Sequence, residues 1–165
     1  GSILEIRNRQ RARAVDTALL RQALRAVLEQ HLAVPRYELG LHLVGADEMA
    51  RVNQTYLQHS GSTDVITFDH SDAPPARPVA PGAWPIHGDI FVSVPDAVAQ
   101  AKEFGTAWTE EVLRYAIHGT LHLLGHDDLS PAPRRIMKRA ENRLVRAMAA
   151  TFPIARLARR RVARR

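Results

Sequence analysis

The sequence predicts an α+β fold: a single domain with a small four-stranded mixed sheet packed with about five helices. Three observations carry this. Four short segments alternate apolar with polar residues or are rich in β-branched and aromatic ones, as strands are. Five others repeat apolar residues at helical spacing, and the two kinds follow each other in mixed order. The 165 residues amount to one domain, long enough to bury a core without staples.

Ile3 to Asn8, ILEIRN, alternates as a half-buried strand does. Asp16 is placed to cap a first helix, TALLRQALRAVLEQHL, whose Leu20, Leu24, Val27 and Leu28 share one side. Pro35 breaks the chain, YELGLHLV follows as a strand, and Gly45 turns it into a second helix from about Asp47 to Leu57. STDVITF, Ser62 to Phe68, is the third strand. DHSDAPPARPVAPGAWP holds five of the ten prolines and reads as an exposed loop. GDIFVSV, Gly88 to Val94, is the fourth strand, stopped by Pro95, and DAVAQAKEFG is a short helix ended by Gly105. Thr106 or Thr109 can cap the next helix, with Glu110 and Glu111 at the positive end of its dipole. That helix runs to Leu124. The last begins near Ser130-Pro131 and places Ile136, Met137, Ala140, Leu144 and Val145 on one side.

The net charge of +6 is uneven. The last ten residues, RLARRRVARR, hold six of the 23 basic residues, leaving 17 against 17 acids elsewhere. We therefore expect a domain at 3–150 and a basic arginine-rich tail at 151–165. Such a tail suits either phosphate binding by counterion release or plain solvation. No run approaches the roughly 18 apolar residues of a membrane span, and the start shows no leader pattern, so no membrane partner is expected. Cysteine is absent, which excludes a disulfide partner and a thiolate metal site and fits a reducing, cytoplasmic location. Any metal must sit on His, Asp or Glu.

HGTLHLLGHDD, His118 to Asp128, carries the chemistry. His118 and His122 are four apart, so on a helix both imidazoles face one way, about a turn from each other. Leu113, Ile117, Leu121 and Leu124 take the neighbouring side. Gly125 is the expected left-handed residue after the helix, and the chain can swing back there. Asp128, beyond the turn, is the preferred third ligand, with His126 the alternative and Asp127 an acceptor for an imidazole N–H. Three protein ligands with an open position form a zincin-like catalytic centre for one Zn²⁺ per chain. In zinc peptidases the residue after the first histidine is a glutamate base; here it is Gly119. Without a metal, the pair would be two polar residues at a helix edge.

The segment resembles the YbeY-type single-domain metal-dependent endoribonucleases of bacteria and organelles. Their His-Gly-x-Leu-His-Leu-x-Gly signature, followed by Tyr or His, Asp and a third ligand that is usually His, is matched up to Asp128. NQTYL (Asn53 to Leu57), TDVITF (Thr63 to Phe68), GDIFVS (Gly88 to Ser93), Met137 and Glu141 match in the family's order. The resemblance implies a single-strand-specific, metal-dependent endoribonuclease in which His118, His122 and Asp128 act through the ion by activating a water. It implies ribosomal RNA and the small ribosomal subunit as partners, with 16S RNA 3′-end maturation and ribosome quality control as the process. The family arginine after the tyrosine is Leu57 here, and a leucine cannot hold a phosphate. Arg51 is the nearby base that could replace it; otherwise it is an ordinary solvent-facing charge. The resemblance makes Ser62, Thr63 and Asp64 candidate substrate contacts; turn chemistry is the better reading of Asp89 and the alternative one of Asp64. His42, His59, His70 and His87 are assigned no metal role. Three rivals remain: a non-catalytic ribosome- or RNA-binding protein with a structural metal, a zinc metallopeptidase, and a purely structural role for these residues with no metal.

Overall fold

The computed structural model describes residues 1–56 and 64–159. Leu57, His59, Ser62, Thr63 and the arginines from 160 onward lie outside the described residues. Strands β1 (Ile3–Asn8), β2 (Tyr37–Val44), β3 (Val65–Asp69) and β4 (Ile86–Ser93) form one sheet in the order β1-β2-β4-β3. β1, β2 and β4 run parallel, and β3 closes one edge antiparallel to β4. This is the expected mixed sheet. Helices α1 (Thr17–Ala26), α2 (Ala46–Thr55), α3 (Val94–Phe104), α4 (Trp108–Leu123) and α5 (Pro131–Thr151) complete the fold.

Asp16 caps α1 by accepting from the Leu19 N–H at 3.0 Å, and the predicted Leu20, Leu24, Val27 and Leu28 are all buried. The helix does not stay regular to Leu32: Val27–His31 widens into a π turn, closed by the Leu32 N–H on the Val27 carbonyl. β4 begins two residues earlier than expected because the whole of Tyr37–Val44 pairs with Ile86–Ser93, so the partner strand sets its length. α4 starts at Trp108 without a side-chain cap; the Thr106 hydroxyl donates instead to Glu111 at 2.9 Å.

The main core lies between one face of the sheet and α1, α3, α4 and α5. α4 runs through its centre, with Val112, Leu113, Ala116, Ile117 and Leu121 all essentially inaccessible. A smaller cluster, Val44, Met49 and Ile66, seats α2. The buried stripe of α5 is Met137, Glu141, Leu144, Val145 and Met148, whereas Ile136, expected among them, is 47% exposed. Beyond residue 150 the chain turns back onto the domain. Ile154 and Leu157 enter the core, and the Asp16 N–H donates to the Leu157 carbonyl at 2.8 Å.

Candidate metal centre

The C-terminal end of α4 is built to stop. Gly125 has φ +93°, and the His126 N–H reaches back to the Leu121 carbonyl at 3.0 Å, closing a left-handed cap. A Cβ on Gly125 would stand 2.1 Å from the Arg77 carbonyl oxygen of the proline-rich loop, so only glycine fits. The turn brings Asp128 back over the helix face that carries His118 and His122. Arg134 then holds the returning loop by donating from Nε to the Asp128 carbonyl at 2.8 Å.

His118 Nε2 lies 3.1 Å from His122 Nε2 and 3.3 Å from Asp128 Oδ2, and His122 Nε2 lies 3.5 Å from Asp128 Oδ1. One ligand atom from each of the three falls within 4.8 Å of the others, a set the described residues form nowhere else. The other imidazole nitrogens are engaged. His118 Nδ1 donates to Glu141 Oε2 at 2.9 Å, and His122 Nδ1 donates to the His126 carbonyl at 3.0 Å. Burial, with the neighbouring His118 charge, pulls the His122 pKa below its ordinary value and keeps that ring neutral. Burial alone would raise Glu141, but the hydrogen bond and charge of His118, with Lys138 and Arg114, outweigh it and hold the acid at about 2.

These residues fit a divalent ion. Both Nδ1 atoms donate, which turns both Nε2 atoms towards Asp128; whenever the rings give up their second protons, two lone pairs and a carboxylate converge on one point, an arrangement that repels itself unless a cation lies between. Tetrahedral bonds of about 2.0–2.2 Å put ligand atoms roughly 3.3–3.6 Å apart, close to the 3.1, 3.3 and 3.5 Å between these donors.

Glu141 had no role in the sequence reading. The signal was there: an acid in the apolar stripe of α5, which only a buried partner explains. Asp127 does not accept an imidazole N–H as expected; its Oδ1 caps the Leu129 N–H at 2.9 Å while Glu141 and a carbonyl take that part. His126 turns away from the centre into a cavity of about 40 Å³ with Leu32, Val79, Trp84 and Leu124, where its Nδ1 is buried without a partner. Asp128 is the residue brought to the two histidines.

A cleft of about 240 Å³ opens beside the centre, between β3 and the loop after α4, lined by Val65, Thr67, Asp69, His122, Asp127 and Asp128 among others. Its lining among the described residues includes no lysine or arginine. Asp64 does not line it; its carboxylate accepts from the buried Tyr115 hydroxyl at 3.3 Å, tying the start of β3 to α4. Arg51 is exposed on α2, where its charge acts on Glu48. Asp89 is not a turn residue: it stands in mid-strand, with Nε2 of His42 and of His70 each 2.7 Å from one of its oxygens. Gly119 packs against β4 so closely that a Cβ would lie 2.7 Å from Ile90 Cγ2.

A single α+β domain whose central helix offers two converging imidazoles, and whose following turn returns a carboxylate, defines a class of protein with a three-ligand centre able to hold one divalent ion at the mouth of a cleft. Residues 5–149 match the family model described as Endoribonuclease YbeY, and the chain belongs to the YbeY endoribonuclease family. It is 32% identical to Endoribonuclease YbeY of Salinibacter ruber over 145 residues, 88% of this chain and 91% of the relative. The counterpart from Roseiflexus sp. is 35% identical over 135 residues, 81% and 84% of the two chains. The solution structure of a Thermotoga maritima protein shares the fold, with a TM-score of 0.64 over 99% of this chain and 100% of that one at 20% identity.

Proposed function

We propose that this chain is a metal-dependent endoribonuclease that cuts single-stranded RNA, with His118, His122 and Asp128 holding one Zn²⁺. The observation that carries the reading is the convergence of those three donors on one point at ligand spacing. When bound, the ion supplies Lewis acidity to a phosphoryl oxygen and lowers the pKa of water. The protein's own part is to keep the donors in place: Glu141 and the His126 carbonyl fix both imidazoles with Nε2 inward, and Arg134 anchors the loop of Asp128. With Asp69, Asp127 and Asp128 on its walls, the cleft repels a phosphate until a cation has neutralised it, so metal binding precedes entry of RNA. Family membership supports RNA as substrate, and we extend the proposal to the 16S RNA 3′ end, ribosome quality control and a cytoplasmic setting.

Leu57, where the family has arginine, and a cleft lining without cations favour one other reading, an RNA-binding protein of the ribosome with a structural metal. The peptidase reading loses support from Gly119, since a glutamate there would strike Ile90. The deciding experiment incubates purified protein, reconstituted with Zn²⁺, with a single-stranded 3′ fragment of small-subunit ribosomal RNA, beside His122→Ala and a chelated sample. Cutting that disappears in both controls supports the enzyme. Bound metal and bound RNA without cutting leave the structural-metal reading.

A further inference from the structure

Helix α5 presents Arg134, Arg135, Lys138, Arg139, Arg143 and Arg146 to solvent. Its one acid, Glu141, is buried against His118. Arg135, Arg139, Arg143 and Arg146 recur at intervals of four, four and three residues, which aligns them in one exposed row, roughly 16 Å long at the helical rise. Ion pairs among the described residues engage Arg7 with Glu5, Arg9 with Glu48 and Arg25 with Glu29, but none involves a member of this row. Outside the last ten residues acids and bases are equal in number, so an acid-free face is local segregation and not a consequence of composition. One sign of charge on one face raises self-repulsion, and it suits a surface that attracts a polyanion.

Two other cations of α5 touch the residues that support the centre. Arg134 donates to the carbonyl of Asp128, and Lys138 Nζ sits 3.3 Å from Glu141, which orients His118. Among the described residues the cleft lining includes no lysine or arginine for a polyanion, and the adjoining helix carries six. An arginine row suits phosphates, since each guanidinium can engage one in bidentate fashion. A lipid surface fits less well: an interfacial helix needs a free apolar face, and the apolar stripe of α5 is spent on α4 and the core, which leaves Ile136 alone of its large apolar residues exposed.

Resting on the endoribonuclease reading, we propose that the outer face of α5 is the RNA-backbone track of this chain, in which Arg135, Arg139, Arg143 and Arg146 bind successive phosphates of a single strand. Arg134 and Lys138 lead that strand to the His118–His122–Asp128 centre.

The test measures fluorescence anisotropy of a labelled single-stranded oligoribonucleotide with the full chain in EDTA, from about 50 to about 300 mM salt. EDTA stops cutting and keeps the cleft anionic, so binding reports the surface. The quadruple variant R135Q/R139Q/R143Q/R146Q keeps good helix formers, and circular dichroism checks its fold. The slope of log affinity against log salt should flatten by about 0.7 per lost contact, on the order of 2–3 in all, with affinity down roughly tenfold or more. Lysine at the same four positions should keep the slope. A control with R7Q/R13Q/R25Q/R36Q, equal in charge but dispersed, should keep it too. An unchanged slope in the glutamine variant, an equal loss in the control, or a loss confined to phosphatidylserine vesicles would overturn the track. With Zn²⁺ restored the two ideas separate: a wild-type chain that binds through the row but does not cut leaves the track and removes the enzyme, and a quadruple variant that binds and cuts like wild type does the reverse.

Discussion

Glu141 Oε2 accepts from His118 Nδ1 at 2.9 Å, so a buried acid on α5 decides which nitrogen of an α4 imidazole faces the cleft. The same carboxylate takes Arg114 at 3.0 Å and Lys138 at 3.3 Å on its other oxygen. Replacing it therefore touches the metal and the fold separately. Glu141→Gln keeps the shape but weakens the hold on His118, and we expect Zn²⁺ affinity to fall about 10–100-fold in a competitive chelator titration. Glu141→Ala also removes one partner of Arg114, which keeps Asn142 at 2.6 Å and Glu111 at 3.9 Å, and should cost about 1–3 kcal/mol in urea unfolding of the metal-free chain. Unaltered affinity in the glutamine variant would remove Glu141 from the centre.

Gly125 ties ligand geometry to backbone geometry. Gly125→Ala sets a side chain at φ +93° against the Arg77 carbonyl, at about 1–2 kcal/mol for the conformation alone and more for the collision. The loop must shift, and Asp128 moves with it. Equilibrium unfolding should show the loss of stability, and the metal titration should show weaker binding that Asp128→Ala no longer worsens. Additive losses in the double variant would mean that the turn does not place Asp128.

The parts of this molecule legible in the sequence are those fixed by local chemistry. β1 and β2 carry their own alternation, Asp16 its own cap, and Gly125 the end of α4, so His118, His122 and Asp128 could be grouped without a structure. What was missed depends on partners distant in sequence. Glu141 gains its role only where α5 crosses α4, and the length of β4 is set by β2. Asp89 reads as turn chemistry until His42 and His70 are seen on either side of it. Ile154 and Leu157 sit just ahead of an arginine run, and the charge of that run hid two core residues.

Gly119 separates this centre from a zinc peptidase by packing as well as by chemistry. Gly119→Glu would complete the His-Glu-x-x-His pattern, yet its Cβ would meet Ile90 at 2.7–2.9 Å. Overpacking of this kind costs about 1–3 kcal/mol, and we expect a destabilised protein with no casein hydrolysis. Ile90→Ala should cost less in the Gly119→Glu chain than in the wild type, since there it also removes the colliding branches. A stable Gly119→Glu protein that cleaves casein would show that α4 has room that the packing denies it.

Asp89 gives the acid limb of stability a local origin. Burial raises its pKa, but the hydrogen bonds from His42 and His70, followed by their charges, outweigh that and bring it below the ordinary carboxylate value. The folded chain thus binds the Asp89 proton less readily than the unfolded one. The stabilisation is fully present above the unfolded pKa of about 3.9 and is lost as pH falls through the lower folded value. Urea midpoints between about pH 2 and 6 should fall more steeply with acid in the wild type than in Asp89→Asn, and the two curves should converge at the lowest pH. Parallel curves would mean that Asp89 binds its proton equally in both states and that the two histidines do nothing for its charge.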